Sequence, residues 1–247
     1  MPRSRKSSGS FTTVAASQQA ERGGASPLKI PLLRELLLQR FDRLEEIAAT
    51  DAEVHAIDLP GFGRSEGPRD VLSMEELADW VIAWMSESGI ARCHVIGNSL
   101  GCEIAAHLAI KTPERIATVT MTGPTLDPQA LAPLTQTLRL CRDALREPFS
   151  LWCNWTFDFF RAGARRAFGT TREMFRDHIE CHLPYVTART LVIRGGTDPT
   201  VPQSAAVLLT SLLPNGELLV IEGEPHCVHY TDAPGVWRAI QERLLPG

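Results

Sequence analysis

Gly97-Asn98-Ser99-Leu100-Gly101 is the stretch of this chain whose residue types and spacing can do chemistry. A serine with a glycine two places before it and another two places after it suits a sharp strand-to-helix turn. The small residues leave room for the backbone to double back, and the turn thrusts the serine Oγ into the open. A serine hydroxyl is a weak nucleophile near neutrality and needs a base within hydrogen-bond reach. An imidazole serves best, with a carboxylate to fix its tautomer and steady its charged form. The chain offers Asp198, in Arg194-Gly195-Gly196-Thr197-Asp198-Pro199, and His226, in Gly223-Glu224-Pro225-His226. The N–H of Leu100, at the start of the helix behind the serine, points toward a developing oxyanion.

Two other residues compete for these roles. His229 lies three residues after His226 and is read as structural. Asp127 precedes Pro128 and is read as the N-cap of a following helix. His55, His94 and His107 fall within strands or helices and are assigned to structure.

These side chains need elements to position them. Apolar residues recur at three- and four-residue steps over 28–49, which predicts a helix. Glu53 to Leu59 reads as a strand ending in Pro60-Gly61-Phe62-Gly63. Ser73 to Ser88 reads as a helix with a capping box of Ser73 and Glu76. The rhythm continues with strands at 93–97, 116–122, 190–194 and 217–221, and helices at 100–111, 202–213 and 235–245. Strands alternating with helices imply an α/β fold, a mostly parallel sheet with helices on both faces. Right-handed crossovers gather the loops that follow the strands along one edge, where ligand sites lie. Residues 124–187 break the alternation and read as a helical lid inserted at that edge. The division is then a polar segment at 1–27, a core of 28–123 and 188–247, and the lid.

The same residues resemble the α/β-hydrolase superfamily over about residues 50–245. Asp58-Leu59-Pro60-Gly61-Phe62-Gly63-Arg64-Ser65 is similar to a D-x-x-G-x-G-x-S turn that many members carry. The Asp198 and His226 loops are similar to the family's acid and base loops, and the chain order Ser, Asp, His matches. The resemblance implies a cofactor-free hydrolase with Ser99, Asp198 and His226 as catalytic triad. The expected reaction is hydrolysis of a small carboxylic ester through an acyl-enzyme. The alternative is hydrolysis of a carbon–carbon bond, as in meta-cleavage-product hydrolases. Gly-Asn-Ser-x-Gly turns are familiar among those enzymes, although many carry an aromatic residue where this chain has Cys227. The family's early strands and His-Gly motif have no counterpart before residue 50. The family's third strand lies inside the sheet, so either residues 11–16 fill that slot or a gap remains. A second oxyanion donor is missing on this reading, which keeps a non-catalytic relic or binding protein as the alternative of another class.

Asn98, Trp152 and Trp155 are the expected substrate-binding residues. Leu151, Trp152, Trp155, Phe157, Phe159 and Phe160 cluster in a chain with only 6% aromatics, so helix packing is expected to absorb most of them. Arg161, Arg165 and Arg166 read as a solvated face.

A net charge of −4 gives no field for nucleic acid, and no apolar run is long enough for a membrane span. The partner expected is a small-molecule substrate, and the location cytoplasmic. The basic start lacks the apolar stretch of a secretory signal and reads as a polar tail. Six scattered cysteines fit free thiols rather than disulfides or zinc spacing. His178 and His182 lie one helical turn apart beside Cys181, but no second ligand cluster accompanies them, so no metal is expected.

Overall fold

A computed structural model describes residues 13–14, 29–34, 41–63, 65–124, 127 and 133–245. Before residue 41 the description is of the backbone alone. Seven strands form one sheet: β1 (Thr13–Val14), β2 (Lys29–Arg34), β3 (Glu53–Asp58), β4 (Cys93–Asn98), β5 (Ile116–Thr122), β6 (Arg189–Gly195) and β7 (Gly216–Ile221). Their spatial order is β1-β3-β2-β4-β5-β6-β7, with all pairs parallel except β1 against β3. The helices are α1 (Asp42–Ala48), α2 (Met74–Glu87), α3 (Leu100–Lys111), α4 (Pro133–Ala144), α5 (Phe149–Ala162), α6 (Ala164–Asp177), α7 (Ile179–His182), α8 (Gln203–Leu212), α9 (Val228–Thr231) and α10 (Ala233–Leu244).

Successive strand residues face opposite sides of the sheet, and the core divides accordingly. Val95, Val119 and Val192 pack with α2 and α3, through Leu77, Val81, Ile104 and Leu108. Ile96, Leu191 and Ile193 pack on the other side with α1 and α10, through Phe41, Leu44, Val236 and Ile240. Both faces are therefore covered, as a parallel sheet requires. The capping box at α2 forms as the sequence suggests. Ser73 Oγ accepts from Glu76 N–H at 3.2 Å, and Glu76 Oε2 accepts from Ser73 N–H at 2.8 Å. Helices α4 to α7 form the inserted segment between β5 and β6.

The N-terminal region departs from expectation. The helix foreseen over 28–49 is a strand at 29–34 and a short helix at 42–48. Helical spacing and a continuous apolar run cannot be separated by periodicity over so few residues. Pro31 is the signal that decides against a helix, because its ring would collide with the preceding turn. Parallel pairing on both sides wins. Lys29 to Arg34 run in register with Glu53 to Asp58, and Leu32 pairs with Ile96. This strand fills the slot between β3 and β4 that the sequence left to residues 11–16 or to a gap. The described part of that earlier stretch, Thr13–Val14, lies instead at the sheet's outer edge, antiparallel to β3. Among the described residues no helix is long and apolar enough to cross a membrane.

Candidate active site

Ser99 sits between the last residue of β4 and the first of α3, with φ 49° and ψ −121°. A side chain at positive φ is strained by roughly 1–3 kcal/mol, and such strain concentrates at functional sites. The turn closes because Gly97 lies against the Gly101 carbonyl, where any Cβ on residue 97 would overlap it. Ser99 N–H donates to the Thr122 carbonyl at 3.0 Å, which ties the turn to the end of β5. The first N–H groups of α3, that of Leu100 among them, have no partner within the helix and sit behind the serine.

His226 and Asp198 occupy the loops after β7 and β6. His226 Nδ1–H donates to Asp198 Oδ2 at 2.8 Å, and both side chains are buried. The other oxygen of Asp198, Oδ1, accepts from Thr200 N–H at 2.7 Å and Val201 N–H at 3.1 Å. Arg194 braces this loop from below, donating to the carbonyls of Asp198 and Val201. Burial alone would raise the Asp198 carboxyl, but the facing imidazole and these amide donors hold it below the usual carboxylate range. The His226 ring lies over Gly123, the residue after Thr122, and a Cβ there would sit 2.8 Å from His226 Cε1. Serine turn and imidazole thus adjoin consecutive residues at the end of β5. His226 Nε2 makes no hydrogen bond among the described residues.

Sequence reasoning missed two carboxylates beside this pair. Asp143, at the end of α4, accepts His226 N–H through Oδ1 at 3.3 Å. Glu147 accepts Cys227 N–H through Oε1 at 2.8 Å. Between them Arg146 donates to the Thr197 carbonyl at 2.8 Å, so the inserted segment grips both the acid and the base loops. Burial, reinforced by the charges of Asp198 and Glu147, outweighs the attraction of His226 and pushes Asp143 up to about 7. Burial likewise raises Glu147. His226 responds in the opposite sense to its own burial. Desolvation would lower it, but Asp198, then Asp143 and Glu147, together raise it. Nothing in the local sequence sets Asp143 and Glu147 apart from the charged residues around them, because their burial depends on where α4 docks.

His229 is also buried, and its Nδ1 faces the Asn98 amide Nδ2 at 3.0 Å. Its ring packs on Phe41 at 4.6 Å between centroids. Asn98, expected at the substrate, is thus engaged with a structural histidine. Trp152 donates from Nε1 to the Ala144 carbonyl at 2.7 Å, linking α5 to α4. The side chain of Trp155 lies outside what the structure describes. Asp127 pairs with Arg139 at 3.0 Å, and the helix start it was expected to cap falls outside the described residues. Of the aromatic cluster in the inserted segment, Leu151 is buried with Cys227 and Tyr230 and Phe159 packs against the core, whereas Phe157 and Phe160 are exposed. Arg166 is not simply solvated, since it donates to the carbonyls of Pro60 and Pro68 and fastens α6 to the loop after β3.

A family profile described as "alpha/beta hydrolase fold" matches residues 37–185, which include the Ser99 turn and stop short of Asp198 and His226. A 2-hydroxy-6-oxononadienedioate/2-hydroxy-6-oxononatrienedioate hydrolase of Cupriavidus pinatubonensis is 27% identical over 232 residues, covering 83% of this chain and 80% of that protein. Among solved structures, a thermophilic esterase from Thermogutta terrifontis superposes with TM-score 0.75 at 18% identity, covering 94% of this chain and 97% of that one. The 2-hydroxy-6-oxo-6-phenylhexa-2,4-dienoate hydrolase of a Rhodococcus strain superposes with TM-score 0.67 at 21% identity, covering 88% of this chain and 90% of that one.

Proposed function

Because this chain belongs to the α/β-hydrolase-fold family, we propose that it is a serine hydrolase that cleaves a carbon–carbon bond in a small 2-hydroxy-6-oxo-dienoic acid. The observation that carries the hydrolase reading is the buried His226–Asp198 pair at 2.8 Å beside a serine held at positive φ. The substrate class is supported by the similarity to the Cupriavidus hydrolase across more than four fifths of this chain. Strand β2 fills the central slot, which takes away one of the two grounds for a non-catalytic relic; the other, the second oxyanion donor, falls on the segment after β2, outside the described residues.

In this mechanism Ser99 Oγ attacks the keto carbon at position 6 while His226 Nε2 takes its proton. Asp198 steadies the imidazolium, and the Leu100 N–H donates to the new oxyanion. The tetrahedral adduct collapses by breaking the adjacent carbon–carbon bond. The substrate has by then ketonised, its 2-hydroxyl proton having moved to C5, so the departing electron pair delocalises onto the 2-oxo oxygen, which takes the proton back from His226. Water then attacks the acyl-Ser99 ester with His226 again as base. The net change is one carbon–carbon bond and one water O–H bond broken, with one carbon–oxygen and one carbon–hydrogen bond formed.

The ester reading has one observation in its favour. Cys227 is fully buried against Leu151 and Tyr230, at the position where many carbon–carbon hydrolases carry an aromatic ring. Parallel assays separate the two. Loss of the dienoate chromophore, with p-nitrophenyl esters turned over poorly, is the expected result. The reverse ranking overturns the carbon–carbon assignment and leaves the hydrolase. Ser99→Ala should abolish both activities and also labelling by a fluorophosphonate. Activity that survives Ser99→Ala sinks the triad.

A further inference from the structure

Away from the triad, three side chains far apart in sequence meet where the inserted segment returns to the core. His107 lies on α3, the helix that starts at the Ser99 turn, and Asp177 closes α6. His182 ends α7. One ligand atom from each lies within 4.8 Å of the other two. His107 Nε2–H donates to Asp177 Oδ1 at 2.7 Å, and His182 Nε2–H donates to the Asp177 carbonyl at 2.9 Å. The two rings lie 4.4 Å apart between centroids.

One feature is not accounted for by hydrogen bonding. Asp177 Oδ2 is buried and accepts no hydrogen bond among the described residues, while the Asp177 side chain as a whole is only 10% exposed. A buried carboxylate oxygen without a donor is destabilising, because its desolvation is not compensated. His182 Nε2 stands 3.6 Å from it, too long for a hydrogen bond. The backbone holds this arrangement at some cost of its own, because His178 between α6 and α7 has φ 54° and ψ 65°. That left-handed residue turns the chain so that His182 comes back over Asp177. The spacing of His178 and His182 along the sequence suggests a pair one turn apart. In the fold His178 faces Glu180 instead, and His182 joins residues 5 and 75 positions earlier.

We propose that His107, Asp177 and His182 form a binding site for one zinc ion that staples α3 to the end of the inserted segment. Two imidazoles and one carboxylate are a ligand set that borderline divalent cations favour over magnesium or calcium. Each neutral imidazole shifts its proton from Nε2 to Nδ1, which frees the Nε2 lone pair for the ion, and Asp177 Oδ2 gains the partner it lacks. Closing to zinc distances of about 2.0–2.2 Å brings the three ligand atoms together by roughly an ångström. His182 supplies most of that movement, since it is the most exposed of the three and sits on a single helical turn. A solvent molecule completes the tetrahedron.

The test is calorimetric titration of zinc chloride into the full chain in a non-chelating buffer, after treatment with EDTA. One zinc per chain is expected, with magnesium unable to compete. Cobalt(II) at the same site should give visible absorption of tetrahedral intensity. His182→Ala and Asp177→Asn should each weaken zinc binding at least tenfold, while His178→Ala leaves it unchanged. Circular dichroism of each variant checks folding, and His107→Gln serves if Asp177→Asn does not fold. Zinc should raise the melting temperature of the parent chain and not of His182→Ala. Absence of stoichiometric binding overturns the site, as does binding that His182→Ala and Asp177→Asn leave untouched. None of these readouts depends on the identity of the hydrolysed substrate.

Discussion

His226 and His229 lie three residues apart, and both are buried, yet their surroundings drive them in opposite directions. His226 is ringed by Asp198, Asp143 and Glu147, and their charges overcome its desolvation and raise it. His229 meets an amide and a phenyl ring, and burial together with the nearby His226 pushes it down to about 3. Burial alone therefore does not decide what an imidazole can do here. The carboxylates do, by favouring the imidazolium that the proposed mechanism needs when His226 takes a proton, while His229 stays a neutral strut beneath Asn98.

Removing the carboxylate that most favours His226 breaks the contrast most severely. Asp198→Asn keeps the shape but presents an amide to Nδ1, so the tautomer is no longer fixed and the imidazolium loses its counter-charge. A fall in kcat of about 10⁴-fold is expected, with the fold retained. Steady-state kinetics on the preferred substrate check this, and a loss below about tenfold would mean that another carboxylate orients the base.

The other side of the contrast shows in stability. Unfolding exposes His229 to water, where its ordinary value is 6.5, whereas the folded protein keeps it neutral down to about 3. Between these values the unfolded chain binds the extra proton, so stability is lost as pH falls through that window. His229→Gln retains a polar partner for Asn98 and cannot titrate. Urea unfolding between pH 4 and 6 should then show a pH slope smaller by roughly 1.4 kcal/mol per unit. An unchanged slope would show that His229 is not buried neutral.

The same contrast marks what could be read from the chain. Strands β4 to β7 and the Ser99, Asp198 and His226 loops stand in the sequence because each is local. Val95, Val119 and Val192 are flanked by turn glycines or prolines, and each functional residue follows its strand directly. Strand β2 was hidden because Ile30, Leu33 and Leu36 satisfy a helical spacing as well as a buried run, and only the neighbours β3 and β4 choose between them. Asp143 and Glu147 were hidden for a related reason. They sit on an amphipathic segment as two acids among arginines, and burial comes from docking onto the loop after β7, 80 and 83 residues away. His107 similarly finds its partner at Asp177, 70 residues on. Chemistry carried by a short motif is legible, whereas chemistry assembled by a tertiary contact is not.

Asp143→Asn sharpens the comparison with the smallest expected effect, because the amide oxygen still accepts His226 N–H and only a charge is lost. The proposed mechanism needs neutral His226, so kcat/KM rises with pH as the imidazolium gives up its proton. Above about 7 Asp143 is ionised and opposes that loss. The rising limb should therefore move to lower pH in Asp143→Asn, with its plateau within a few fold of the parent. Stability should respond independently. The folded carboxyl, raised to about 7 from an ordinary 3.8, holds a proton that the unfolded chain releases, so its contribution is lost as pH rises across that range. Asp143→Asn should flatten that fall. A limb that stays in place while stability flattens would assign Asp143 to holding the loop rather than to tuning the base. A limb that moves upward would contradict the electrostatic account of the His226 surroundings altogether.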